Sequence, residues 1–325
     1  TPPMRISRRL ILGASLLAAC TAALAQDYPA KPIRFIVPFP PGGGTDSLTR
    51  LVANKLTETL KWNFVVENKP GAGGNVALDT TAKAVPDGYT LVMAQTDNVV
   101  LNPLLYSKLT YDPVKDLVPV GLVASGPAVL VVRADSPYKT LADVVAAAKA
   151  APAKLTFASP GLGTVSHLIS ELWQKSSGMK LTHVPYRGLS QALPDVLSGQ
   201  VDMYMGSIPT LQGHIKGGKV RALAVTTAKR SPVLPLVPTY TESGIPGVEL
   251  ASVWGVMAPA GTPQNVIQRL NTEINKVLQQ PDTREKIIAS GAVMLGGSPQ
   301  EMGELYAADR QKLAPVVRDS GTRLD

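Results

Sequence analysis

Three times in this chain a short apolar run leads into a glycine-rich loop and then directly into an amphipathic segment of helical period. Ile33-Arg34-Phe35-Ile36-Val37 is followed by the loop Pro38–Gly44. Next comes a segment with the apolar stripe Leu48, Leu51, Val52, Leu56 and Leu60, capped by Thr45 or Asp46. Phe64–Glu67 is followed by Asn68–Gly74 and a helix over Asn75–Ala84. Leu155–Ala158 is followed by Ser159–Gly163 and a helix over Thr164–Lys175. A strand that feeds a helix needs a crossover, and repeated crossovers predict a parallel α/β sheet flanked by helices. Further strands are predicted at Tyr89–Ala94, within Val118–Val132, and at Thr182–Tyr186, Val201–Met205 and Arg221–Thr226. Further helices are predicted over 141–149 and Leu189–Ser198.

From Trp254 the pattern changes to one strand and three helices, Pro263–Gln279, Thr283–Ser290 and Pro299–Ala314. Those helices need a sheet to cover, and the first sheet is the natural one. The expected organisation is therefore two lobes: residues 26–126 with 252–325, and an inserted lobe of residues 127–251. Two crossings, near 124–130 and 248–256, make a hinge with a cleft beside it.

The chain has 325 residues, 45% of them hydrophobic, enough to build cores and to exclude global disorder. A single Cys excludes a disulfide scaffold and any Cys-based metal site. His167, His183 and His214 show no metal spacing, so neither metal nor cofactor is expected. No Gly-x-Ser-x-Gly elbow or His-Glu-x-x-His is present. Gly213–Lys219 has the spacing of a phosphate loop, but Val220 stands where a hydroxyl must hold magnesium. The net charge of +8 is scattered, without a basic cluster interleaved with aromatics, which argues against nucleic acid.

Arg5, Arg8 and Arg9 precede the uncharged run Leu10–Ala25, which ends Ala23-Leu24-Ala25. This is the pattern of a cleaved secretory signal over residues 1–25, and the run is short of the roughly 20 residues that span a bilayer. Ser7-Arg8-Arg9-Leu10 resembles a twin-arginine signal. Leu17-Ala18-Ala19-Cys20 resembles a lipobox that would lipidate Cys20; the later site is preferred. A periplasmic location follows. Cleavage removes three Arg and no acid, so the mature charge is +5.

Candidate binding residues sit where strands end and helices begin, the edge at which parallel α/β sheets take ligands. Pro38–Gly44 lacks side chains at three glycines, so backbone N–H groups can approach a ligand, and the helix start adds partial positive charge. Ser159–Gly163 repeats this architecture before Thr164, with His167 one turn in. Tyr186-Arg187-Gly188 offers a guanidinium that can clamp a carboxylate. Gln95-Thr96-Asp97 closes a further strand. Asp46, Asp97 and Asp202 form no acid pair and read as caps or turn residues.

Five motifs in order resemble one known family: Val37–Gly43 with Asp46, Glu67–Asn75, Pro86–Leu91, Val184–Gly188 and Gly199–Asp202. The family is the periplasmic solute-binding proteins of tripartite tricarboxylate transporters, often called the Bug family. The resemblance implies a type II periplasmic-binding-protein fold, two lobes closing on a small organic acid. The ligand would be a mono- or dicarboxylate, an aromatic acid or an amino acid, held largely by backbone N–H groups. It also implies a monomer that serves membrane transporter subunits. By position, the ligand-binding residues would be Phe39, Gly43, Gly44, Thr45, Asp46 and Gln95 on one lobe. On the other they would be Ser159, Gly163, Thr164, His167, Tyr186, Arg187 and Gly188. The alternatives to transport are a subunit presenting ligand to a sensor and an enzyme using His167.

Overall fold

The computed structural model describes residues 28–324. The expected export signal and Cys20 lie outside these residues. Among those described, no helix is long and apolar enough to cross a membrane.

The N-terminal part builds as the periodicity predicts. β1 (Ile33–Val37) lies between β2 (Phe64–Asn68) and β3 (Thr90–Gln95), parallel to both. Helix α1 (Gly44–Leu60) joins β1 to β2 and buries Leu48, Val52, Ala53 and Leu56. Helix α2 (Asn75–Ala82) joins β2 to β3. After β3 the chain makes a wide turn over Asp97–Leu101 that runs into the single-turn helix α3 (Asn102–Leu105). This turn is not predicted from sequence, because Gln95-Thr96-Asp97-Asn98 reads as polar loop. All of it is buried, and Asn98 Oδ1 anchors it by accepting the N–H of Gln95 at 3.0 Å.

The centre of the sheet departs from the parallel expectation. β4 (Leu117–Arg133) is one strand of 17 residues rather than two short ones. It runs antiparallel to β9 (Ala251–Pro259) over Leu117–Pro127. Over Ala128–Arg133 it runs antiparallel to both β7 (Met203–Ser207) and β8 (Val220–Val225). Pro119 is tolerated because the β4–β9 register slips beside it, and Pro127 because it pairs at the end of β9. The strand order is β2-β1-β3-β9-β4-β7-β5-β6, where β5 is Thr156–Ser159 and β6 is Thr182–Pro185, with β8 and β10 (Val293–Met294) also on β4. Parallel pairing returns at β5, between β7 and β6. Helices α4 (Leu141–Ala150), α5 (Val165–Ser177), α6 (Leu189–Ser198) and α7 (Ile208–Lys216) belong to this half.

Helices α8 (Gln264–Leu278), α9 (Pro281–Ala289) and α10 (Pro299–Ser320) follow β9. α8 turns Val266, Ile267, Leu270 and Ile274 into a core shared with α1, β1 and β3. α10 continues through Pro315 to Ser320, past its predicted end, because Val317 prolongs the buried stripe of Met302, Tyr306 and Leu313. A second core runs from Ile36, Leu78 and Val92 to Phe157, Leu168 and Trp173, so both halves of the sheet share buried surface.

Candidate functional site

A cavity of about 440 Å³ opens between the two halves of the sheet, within the size range of small-ligand sites. Four helices begin at its wall, and the first turn of any helix leaves N–H groups without intrahelical partners. What distinguishes the four is whether the protein satisfies those groups itself.

At α1 it does not. Gly43 is the N-cap, with extended backbone and no side chain to accept from the first turn, so Gly44 and Thr45 present their N–H groups at the cavity. Thr45 and Asp46, expected as caps, lie inside the first turn and do other work. The hydroxyl of Thr45 donates to Gln95 Oε1 at 2.6 Å, and Trp254 Nε1 donates to both at 2.9 and 3.0 Å. Asp46 faces away and fixes the loop, accepting from Gly42 N, Arg50 Nε and Asn68 Nδ2 at 2.9–3.0 Å. Burial opposes ionisation of Asp46, yet these three hydrogen bonds hold its carboxyl below the usual range.

α6 resembles α1, and α7 does so in part, because Pro209 in its first turn has no N–H to offer. Gly188 caps α6 and Ser207 caps α7, neither with a side-chain cap bond, and Gly188, Leu189, Ser190 and Ser207 all line the cavity. The hydroxyls of Ser207 and Thr210 bond each other at 2.7 Å. A Cβ built on Gly44 would stand 3.4 Å from Thr210 Oγ1 and 3.8 Å from Ser207 Oγ, so the mouths of α1 and α7 face one another.

At α5 the protein supplies its own acceptors for the first and third N–H groups, while Ser166 between them lines the cavity. Thr164 Oγ1 accepts the N–H of His167, and Asp97 Oδ1, from the other half of the sheet, accepts the N–H of Val165 at 2.8 Å. The loop before α5 is likewise closed on itself. Ser159 Oγ bonds the carbonyl and N–H of Gly161, and Gly163 N donates to His167 Nδ1. A Cβ at Gly163 would fall 2.6 Å from Leu105, so the Gly163 end of this loop packs against α3, while Pro160 lines the cavity.

His167 and His183 stack at 4.2 Å, with Phe157 beside them, and Ser159 Oγ bonds His183 Nε2 at 2.7 Å. Burial, and then the neighbouring His183, pushes His167 down to about 3; burial pushes His183 down to about 4. Both imidazoles are therefore neutral in the fold, whereas the unfolded chain protonates them near 6.5. Between those values the unfolded state binds more protons, so stability falls as pH falls below 6.5. Urea unfolding at pH 7 and pH 5 is expected to differ by about 2 kcal/mol from His167 alone. The difference should shrink in His167→Phe, which keeps the stack; an unchanged difference would contradict this assignment.

Of the expected residues, the cavity wall contains Phe39, Gly43, Gly44, Thr45, Gln95, Thr164, Arg187 and Gly188. Asp46, Ser159, Gly163, His167 and Tyr186 lie behind it. Tyr186 Oη donates to Asp195, and the others bond as described. The wall also holds residues that sequence reasoning did not assign to binding, chiefly Asp97, Ser190, Ser207, Thr210, Ser252 and Trp254. A glycine at the N-cap of α6 was the available signal for Ser190; Trp254 and Ser252 carried none. Elsewhere a wider groove of about 1000 Å³ lies among α4, α5 and α10, but no helix starts converge there.

The family model described as tripartite tricarboxylate transporter family receptor matches residues 48–322. Among solved structures, the chain is similar to R. palustris Rpa4515 with adipate: 36% identity, TM-score 0.88, covering 92% of this chain and 100% of that one. It is similar to periplasmic binding protein BugD at 33% identity and TM-score 0.85, covering 91% and 99%. It is also similar to MatC (Rpa3494) from Rhodopseudomonas palustris with bound malate, at 32% identity and TM-score 0.83, covering 89% and 100%.

Proposed function

The chain belongs to the tripartite tricarboxylate transporter receptor family, whose members are periplasmic solute-binding proteins and not enzymes. On that premise we propose that it captures a small organic acid between two lobes in the periplasm and delivers it to a tripartite tricarboxylate-type membrane transporter. The lobes are residues 26–126 with 252–325, and residues 127–251. β4 and β9 carry the hinge, since β4 exchanges its partners between Pro127 and Ala128.

The observation that carries this reading is the convergence of three uncapped helix starts, α1, α6 and α7, on one cavity. A carboxylate entering it loses water at a cost of several kcal/mol. Charged hydrogen bonds return roughly 1.5–3 kcal/mol each, and each helix start adds up to about 2 kcal/mol. Two or three such contacts leave the roughly −8 kcal/mol of a micromolar complex. Because α1 and α7 come from different lobes, only the closed form offers both donor sets, so a bound acid shifts the hinge toward closure.

Calorimetric titration of the purified protein with a panel of aliphatic, aromatic and amino acids tests the reading. Micromolar binding of an acid supports it; heat only for sugars or cations overturns it. Arg187 is exposed on the cavity rim and makes no ion pair among the described residues. An exposed cation steers anions more than it holds them. Arg187→Ala is expected to weaken binding only about threefold, mainly by slowing association and flattening its salt dependence in stopped-flow traces.

A further inference from the structure

Given the carboxylate proposed above, on which this rests, the cavity already contains a negative charge of its own. Asp97 lines the wall and is 5% exposed. Three donors from three segments hold it: Val165 N at 2.8 Å on Oδ1, with Gln95 Nε2 and Ser252 Oγ, each at 2.7 Å, on Oδ2. None of the ion pairs among the described residues includes it. Its position against the first turn of α5 is where an anion binds a helix, so one of the four helix starts is occupied by the protein's own carboxylate.

We propose that Asp97 restricts the cavity to acids with a single carboxylate. The ligand's carboxylate sits at the open starts of α1, α6 and α7. Its apolar body lies along Phe39, Leu189, Leu193 and Trp254, which line the same cavity. Its far end then meets Asp97, which accepts from a hydroxyl or ammonium group and repels a second carboxylate, a rejection by like charge rather than by size. Arg187 and His214 also line the cavity, but Arg187 is exposed and His214 only half-buried. A second carboxylate reaching them stays hydrated and gains little.

The test is calorimetry with matched acids: hexanoate against adipate, benzoate against terephthalate, and any acid that binds in the broader panel against its analogue with one carboxylate more or fewer. The wild-type protein is expected to bind the monoacid of a pair at least tenfold more tightly. Asp97→Asn removes the charge at constant size, and Asp97→Ser also opens the α5 position; each should cut that preference at least tenfold, with the diacid gaining affinity. A wild-type protein that binds diacids as tightly as monoacids overturns the role of Asp97 while leaving carboxylate capture standing. An unchanged preference in variants shown by circular dichroism to be folded does the same. If a variant does not fold, the wild-type ratio decides alone. Binding of no acid at all removes the functional reading itself, a different result from either.

Discussion

Gly44→Asp is expected to abolish carboxylate capture while leaving the fold intact. Gly44 is the first residue of α1, and its missing side chain would point at Thr210, Ser207 and Trp254, across the gap between two helix starts. The nearest of these atoms is 3.4 Å from a built Cβ, so the backbone accepts a Cβ there at ordinary contact distance. An Asp in the first turn suits the helix dipole, and replacing Gly within a helix removes an entropic cost. Stability by urea unfolding should stay level or rise by up to about 1 kcal/mol. The new carboxylate, however, occupies the position proposed for the ligand's. Affinity for any acid should fall at least 100-fold, about 2.7 kcal/mol. A variant that keeps wild-type affinity would show that the start of α1 is not the anion site.

Gly126→Ala is expected to damage fold and binding together. A Cβ at Gly126 would stand 2.2 Å from Trp254 Cη2 and 2.5 Å from Cζ3, far inside contact distance. The indole cannot swing aside cheaply. It is 4% exposed, and its Nε1 is held by Thr45 and Gln95. Moving it breaks those hydrogen bonds and overpacks the junction of β4 and β9, for a combined cost of about 2–4 kcal/mol. Because Thr45 belongs to the first turn of α1, the same displacement loosens the proposed anion site. Denaturant unfolding should show the loss of stability, and titration should show affinity reduced at least 100-fold. Wild-type stability with wild-type affinity would mean that Trp254 is not the wall described.

These two glycines mark what local pattern could and could not convey. The units β1–α1, β2–α2 and β5–α5 were legible because each is written in contiguous residues: an apolar run, a glycine loop, a period near 3.6. The antiparallel centre was not, because β4 pairs with β9, more than a hundred residues downstream, and neither strand carries a mark of its partner. The site divided along the same line. The start of α1 announced itself through glycines at the strand-to-helix junction, and that of α6 through the guanidinium of Tyr186-Arg187-Gly188. The start of α5 looked alike, and only Asp97, whose partner Val165 is 68 residues away, sets it apart. One local clue did separate them: Thr164 can cap its own helix, whereas Gly43 and Gly188 cannot. His167 read as a candidate ligand group because a lone histidine near a helix start is chemically suggestive; packed among Phe157, His183 and Gly163, it is a buried structural residue. The match to the receptor family over residues 48–322 fixes the kind of protein, and the capping pattern supports the place proposed on that scaffold for the ligand's charge.

The most direct measurement is an amide NMR titration of the protein with the acid that binds most tightly. A charged hydrogen bond moves the resonance of the N–H that donates it, so each helix start reports separately. The largest shifts are expected at Gly44, Thr45, Leu189 and Ser190, while Val165, already bonded to Asp97, barely moves. Shifts concentrated at Val165–His167, with Gly44 and Thr45 unmoved, would contradict the proposed anion site.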